Sequence, residues 1–155
     1  MEKTEFTIII DASKEKVWDI LWNPATYPEW TSPFGSGSWM ETNWQKGDKV
    51  RFLSPEGEGI VSVISETIPC EFMAFEQKGF VKDGVEDYTS DLSKKWEGSL
   101  EYYRLTSFAD QTELVVDIDV ALSHKDYFLA TWPKALLRVK ELAEKACSLV
   151  ENGIQ

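Results

Sequence analysis

A chain of 155 residues is long enough to bury a core of its own without disulfide or metal staples. Its formal charge of −11, from 16 basic and 27 acidic residues, opposes approach to phosphate backbones and anionic membrane surfaces, so nucleic acid is set aside as a main partner. With 43% hydrophobic and 28% charged residues the composition is globular, and no apolar run approaches the roughly 20 residues that span a bilayer.

The opening MEKTEFTIII lacks the apolar run and small-residue cleavage site of a secretory signal, so a cytoplasmic location is expected. Cys70 and Cys147 belong to no CxxC or Cys/His cluster and are expected to be reduced thiols. No repeat, low-complexity tract or linker divides the sequence, and a single domain over residues 1–155 is expected.

Residues 4–10 alternate so that Phe6, Ile8 and Ile10 share one face of a first strand. Asp11 and Ser13 then offer capping oxygens to a short helix with Val17, Ile20 and Leu21 at helical spacing, which Asn23-Pro24 ends. A second short helical or irregular piece closes at Trp30, and SPFGSGS is a loop. Segments near 38–44, 48–54, 58–67, 71–81, 96–107 and 111–122 are rich in aromatic and β-branched residues. They are separated by turn chemistry at 45–48, 55–57 and Ala109-Asp110, and so read as strands. In the last of them Leu114, Val116, Ile118, Val120 and Leu122 share one face and Glu113, Asp117 and Asp119 the other, the pattern of antiparallel sheet with one buried side. The polar stretch 82–95 is long for a hairpin and predicts a mobile rim loop.

Beyond Leu122 the period changes to about 3.6. Ser123 with Asp126 resembles a capping box, and Phe128, Trp132, Leu136, Val139, Ala143, Ala146 and Val150 form an apolar stripe. Because interior proline disrupts a helix, a short lead-in is expected, followed by a main helix with Pro133 in its first turn. One apolar sheet face and one apolar helix stripe must bury each other, and a long twisted sheet curls round the helix instead of lying flat beneath it. The fold class is α+β, a curved antiparallel sheet of about seven strands around a C-terminal helix, with two short helices after the first strand.

These elements carry a family likeness. IIIDASKEKVWDILWNPATYPEW resembles the opening of the START/birch-pollen-allergen-like (SRPBCC) superfamily. GEGIVSVISETIPCEFMAFE is similar to its Gly-x-Val strand and proline turn, WEGSLEYYRLT with QTELVVDIDV to its closing hairpin, and TWPKALLRVKELAE to its gripping helix. The likeness covers nearly the whole chain and is to the branch named after activators of the 90-kDa heat-shock protein ATPase. It implies a helix-grip fold with an internal cavity. Relatives include lipid and hormone carriers, polyketide cyclases and cochaperone domains, so fold does not fix activity.

Seven tryptophans, eight phenylalanines and five tyrosines are the chain's most informative side chains. They serve either as core or as walls of an apolar site. Strand phase and helix stripe place Trp39, Phe52, Phe75, Tyr102, Trp132 and Leu136 as candidate lining. Arg104, in phase with Trp96, Leu100 and Tyr102, either enters the cavity to hold a carboxylate or is turned outward by a slip near Tyr102-Tyr103. Glu41, Glu76 and Gln77 lie in strands of uncertain phase and could supply a cavity acid or hydrogen bond.

His124 is the only histidine, so no histidine triad or multi-histidine metal site exists. The carboxylates of the last strand are a wet face, and no phosphate loop, nucleophile elbow or zinc-protease motif occurs. No cofactor or metal is implied. The leading expectation is a carrier or sensor of a small hydrophobic molecule, leaning away from catalysis. The alternatives are a cochaperone-like domain that docks a chaperone or other protein, and a polyketide cyclase/dehydratase-like enzyme.

Overall fold

A computed structural model describes residues 1–153, with side chains described through Lys145. The strands are β1 (Glu2–Ile10), β2 (Trp39–Glu41), β3 (Lys49–Leu53), β4 (Gly59–Ile68), β5 (Phe72–Lys82), β6 (Val85–Asp87), β7 (Leu100–Phe108) and β8 (Gln111–Val120). Among the described residues they form one antiparallel sheet in the order β1-β8-β7-β5-β4-β3-β2, with β6 paired to β5. The helices are α1 (Lys14–Trp22), α2 (Tyr27–Trp30), α3 (Asp91–Trp96) and α4 (Lys125–Gly153).

Local chemistry explains the elements. Ser13 caps α1, its Oγ accepting from Lys16 N at 3.2 Å, and Val17, Ile20, Leu21 and Trp22 on the buried side face the sheet. A two-residue turn with both Ala109 and Asp110 at positive φ joins β7 to β8 and fixes their register. The β4–β5 ladder slips twice, leaving Lys78 and then Ser65 without a direct partner, and such bulges bend and twist a sheet. The core lies on the concave side. There Ile10, Leu114, Val116 and Val120 from the sheet meet Trp132, Ala135, Leu136, Val139 and Ala143 of α4. Phe128 packs at its edge. Ala146, Val150 and the Cys147 thiol lie outside the described side chains.

Four expectations are corrected. The 82–95 stretch is an ordered hairpin and helix. Asp87 Oδ1 accepts from Thr89 N and Ser90 N, both at 3.1 Å, and Ser90 caps α3, which delivers Trp96 to a buried position. The C-terminal helix does not begin at Pro133, because α4 runs through it from Lys125. Phe128 and Trp132 pack on the core ahead of the proline and Leu136 and Val139 after it, so burial on both sides overrides the local break. Ser123 forms no capping box, since its Oγ meets His124 Nδ1 at 3.0 Å, and Leu122 leaves the apolar face to stand exposed in a 3-10 turn over Leu122–His124.

Candidate functional site: a chamber under the C-terminal helix

Two adjoining lobes of a chamber lie between the sheet, α2 and the first turns of α4. The larger, about 350 Å³, runs from Tyr27, Trp30 and Phe34 to Leu53, Gly59 and Tyr103. The smaller, about 130 Å³, is walled by Phe75, Gln77, Trp96, Leu100 and Ile118. Phe52, Ile60, Glu101, Phe128 and Trp132 face both lobes. Aromatic and aliphatic side chains make most of the exposed wall, with serines, Gln77 and carboxyls set among them. Such apolar walls with placed polar groups are the usual make-up of a small-molecule site.

The aromatic walls support one another. Trp30 is fixed by its Nε1 donating to Leu21 O at 3.1 Å, and Phe34 meets Trp132 edge to face at 5.1 Å between ring centroids. Phe52 meets Phe75 in the same way at 5.1 Å, and Trp22 seals the layer behind them against Phe75 and Tyr103. Trp132 Nε1 is buried with no acceptor among the described residues.

The polar centre is Glu101. It pairs with Phe75 on β5 and Ile118 on β8, so its carboxyl sits in an apolar part of the wall. Burial pushes that carboxyl up to about 7, against the opposing effect of the Tyr103 hydroxyl, which donates to Oε1 at 2.8 Å. Tyr103 is raised well above the ordinary phenol value by its own burial and then by the charge of Glu101, and Tyr27 is raised by the same two causes. Among the described residues Tyr103 is the one hydrogen-bond donor to Glu101. A half-buried carboxyl that exchanges its proton near neutrality, in the largely apolar wall of a chamber open to solvent on one side, can accept from a ligand, donate to it, or transfer a proton.

The candidate lining residues fall in different places. Phe52, Phe75 and Trp132 are on the chamber wall. Leu136 is buried in the packed core beyond it. Trp39 is on edge strand β2, 43% exposed and away from both lobes. Tyr102 and Arg104 are on the convex face, where both pack on Phe72. The Arg104 guanidinium lies 5.4 Å from that ring's centroid, so it holds nothing inside the cavity. The phase argument failed because it took Trp96 as part of the strand, whereas Trp96 ends α3 and β7 begins at Leu100. Gln77 is buried on the smaller lobe, while Glu41 and Glu76 are paired with Arg51 and Lys78 at the surface.

Sequence reasoning passed over Glu101, although a signal for it existed. With a two-residue turn at Ala109-Asp110, Phe108 pairs with Gln111, and the ladder then sets Leu105, Tyr103 and Glu101 opposite Leu114, Val116 and Ile118. Directly opposed residues share a face, so the apolar side of β8 carries Glu101 inward with it.

A separate hollow of about 670 Å³ lies between the end of α1, the 44–46 turn and the end of β4, walled by Trp18, Trp22, Trp44 and Met73. Of its charged residues, Lys46 and Glu66 are paired with each other at 3.2 Å, and Asp19 accepts from Asn23 Nδ2 at 3.3 Å. Among the described residues no group of three or more His, Cys, Asp or Glu is arranged to hold a metal ion, and no helix is long and apolar enough to cross a membrane.

No family model matches the chain, and no curated protein does. Solved structures do. The structure of the Aha1 dimer from Colwellia psychrerythraea is 17% identical, with a TM-score of 0.71 over 93% of this chain and 97% of that one. DynU16, a protein in the dynemicin biosynthetic locus, is 17% identical at a TM-score of 0.69, over 94% of this chain but 48% of its own. CalU16 from Micromonospora echinospora is 15% identical at 0.63, over 91% of this chain and 65% of that one. At such identities the likeness is one of fold. That fold, a curved antiparallel sheet closed on a long C-terminal helix with short helices after the first strand, is a helix-grip α+β fold.

Proposed function

We propose that this chain binds a small amphipathic molecule in the chamber between the sheet and α4. The single observation that carries the reading is the chamber itself, a largely apolar space of about 350 Å³ in its larger lobe with the Glu101 carboxyl on the wall that both lobes share. Apolar burial is worth about 25 cal/mol per Å² before the costs of association, so the walls supply affinity while Glu101 and Tyr103 set orientation. Native mass spectrometry of gently purified protein should detect a small-molecule adduct, or an added apolar probe should change the fluorescence of Trp30, Trp96 and Trp132. Ile60 faces both lobes. Filling the space with Ile60→Trp, or with the milder Ile60→Phe, should abolish the adduct and weaken the probe at least about ten-fold in a protein that still melts cooperatively. Unchanged binding in folded variants of both kinds would remove the chamber as the site.

One observation favours a second reading, acid–base catalysis on a molecule held in the same space. A carboxyl near 7 is matched to proton transfer at neutral pH. Under that reading Glu101→Gln would bind substrate and lose turnover about 10²–10⁴-fold. Equal turnover in the two proteins would end it.

A further inference from the structure

We propose that the chamber prefers apolar molecules carrying a protonated amine, with Glu101 meeting the ammonium and the aromatic walls holding the apolar body. The inference rests on the chamber being a ligand site and adds the class of ligand.

The charge of the lining is one-sided. Glu101 stands on the shared wall, Glu58 at the larger lobe and Asp119 at the smaller, and neither lobe has a Lys, Arg or His among its lining residues. Asp119 is already engaged, accepting from Leu100 N at 2.9 Å and lying 3.8 Å from Lys3 Nζ. Glu101 has only the neutral hydroxyl of Tyr103. The titratable groups facing it are Tyr103 on its own strand and Tyr27 on α2, both held as phenols. It shares the chamber wall with the rings of Trp132 and Phe128 from α4 and of Phe75, its cross-strand partner on β5. Basic groups outside the lining are engaged elsewhere: Lys3 with Asp119, Lys49 with Glu86, Arg51 with Glu41 and Glu86, and Arg104 on the Phe72 ring, while the His124 ring lies behind Trp96 and Phe128 at 5.3 and 6.5 Å and meets Ser123 Oγ at 3.0 Å.

An ionised carboxyl in such a wall lacks a counter-charge. A ligand ammonium supplies one and also interacts favourably with the faces of Trp and Tyr rings. A ligand carboxylate would instead bring a second anion into a largely apolar space with no cation among its lining residues, which is unfavourable. An alcohol of the same length gains the walls but not the charge.

The test is a matched series, octylamine, 1-octanol and octanoate, titrated by calorimetry and tryptophan fluorescence. About 0.2 M NaCl screens the general attraction of cations to a protein of net charge −11. At about pH 8, where Glu101 is ionised, octylamine should bind at least about ten-fold tighter than octanoate and several-fold tighter than octanol. Between about pH 6 and pH 8 its affinity should rise, that of octanoate should fall, and that of octanol should stay level. Glu101→Gln should erase the amine's advantage and its pH dependence while keeping octanol binding. Glu101→Leu, which leaves no polar group in the wall, guards against misfolding of the first variant. Amine and alcohol binding alike, or a preference that survives both substitutions, overturns the inference while the site stands. Failure of all three probes, octanol included, overturns the site and the inference together.

Discussion

Glu101 makes the chamber polar and also costs the protein stability. Its carboxyl ionises at about 7 in the folded chain against 4.5 as the ordinary value. Between those two pH values the folded state holds a proton that the unfolded state has released, so stability falls as pH rises through that window and levels off above it. Allowing for solvent in the chamber, the loss is on the order of 2 kcal/mol. Glu101→Gln should flatten the fall, so the melting temperature of wild type minus variant should decline from about pH 5 to pH 8. A constant difference would mean that the carboxyl is not desolvated. The surface carboxyls of Glu2, Glu66 and Glu86, lowered by their hydrogen bonds to lysines, act with the opposite sign, being lost only as pH drops below their ordinary range. Tyr103→Phe removes the one hydrogen bond that favours the Glu101 anion. The carboxyl should then titrate higher still, by NMR of the Glu101 side chain, with a stability cost of about 1 kcal/mol. At this scale the sequence was legible only in part. Phe52, Phe75 and Trp132 were placed on the wall from alternation and helical spacing, while Tyr102 was put on the wrong side by one residue of phase and Arg104, left open between the two faces, lies on the outer one. A period of two makes that single step decisive.

Elements were easier to recognise than their boundaries. The alternation in β8 and the stripe of α4 needed no tertiary information, because each periodicity is set by backbone geometry. Burial overrode local propensity in two places. Trp96 draws 91–96 into a capped helix under the sheet, which a polar sequence did not announce. Pro133 was read as a boundary, yet its exposed ring sits inside α4, where it donates no hydrogen bond to the carbonyl of Leu129. Pro133→Ala should therefore stabilise the protein by about 1–2 kcal/mol, the restored helical bond outweighing the extra freedom of the unfolded chain. Denaturant unfolding with an unchanged slope would measure it, and a destabilised variant would mean that the proline shapes the packing of Phe128 and Trp132. Gly59 is the opposite case. A Cβ there would lie 1.8 Å from Phe52 O, in the backbone that lines the larger lobe. Gly59→Ala must push β3 and β4 apart and should cost about 1–3 kcal/mol.

At the scale of the whole molecule, the sequence revealed the fold because one apolar sheet face and one apolar helix stripe have few ways to bury each other. The volume left between them was harder to foresee. It depends on where β4 slips its register and where Gly59 lets two strands approach, and neither leaves a periodic trace. Charge acts at this scale as well. Against a net −11 the described ion pairs lie mostly at the surface, as with Lys46–Glu66 and Arg138–Glu141, and each such pair is worth about 0–1 kcal/mol. Salt weakens those attractions, but it also weakens the repulsion among the 11 acidic residues in excess, which acts over the whole compact surface. The repulsion is the larger sum, so raising NaCl from about 0.02 to 0.3 M should stabilise the protein by about 1 kcal/mol, a rise of about 2–4 °C in melting temperature by calorimetry. Glu101→Gln should shift by nearly the same amount, since a group inside the chamber is screened little by bulk ions. A melting point that falls with salt would mean that the surface pairs outweigh the net charge.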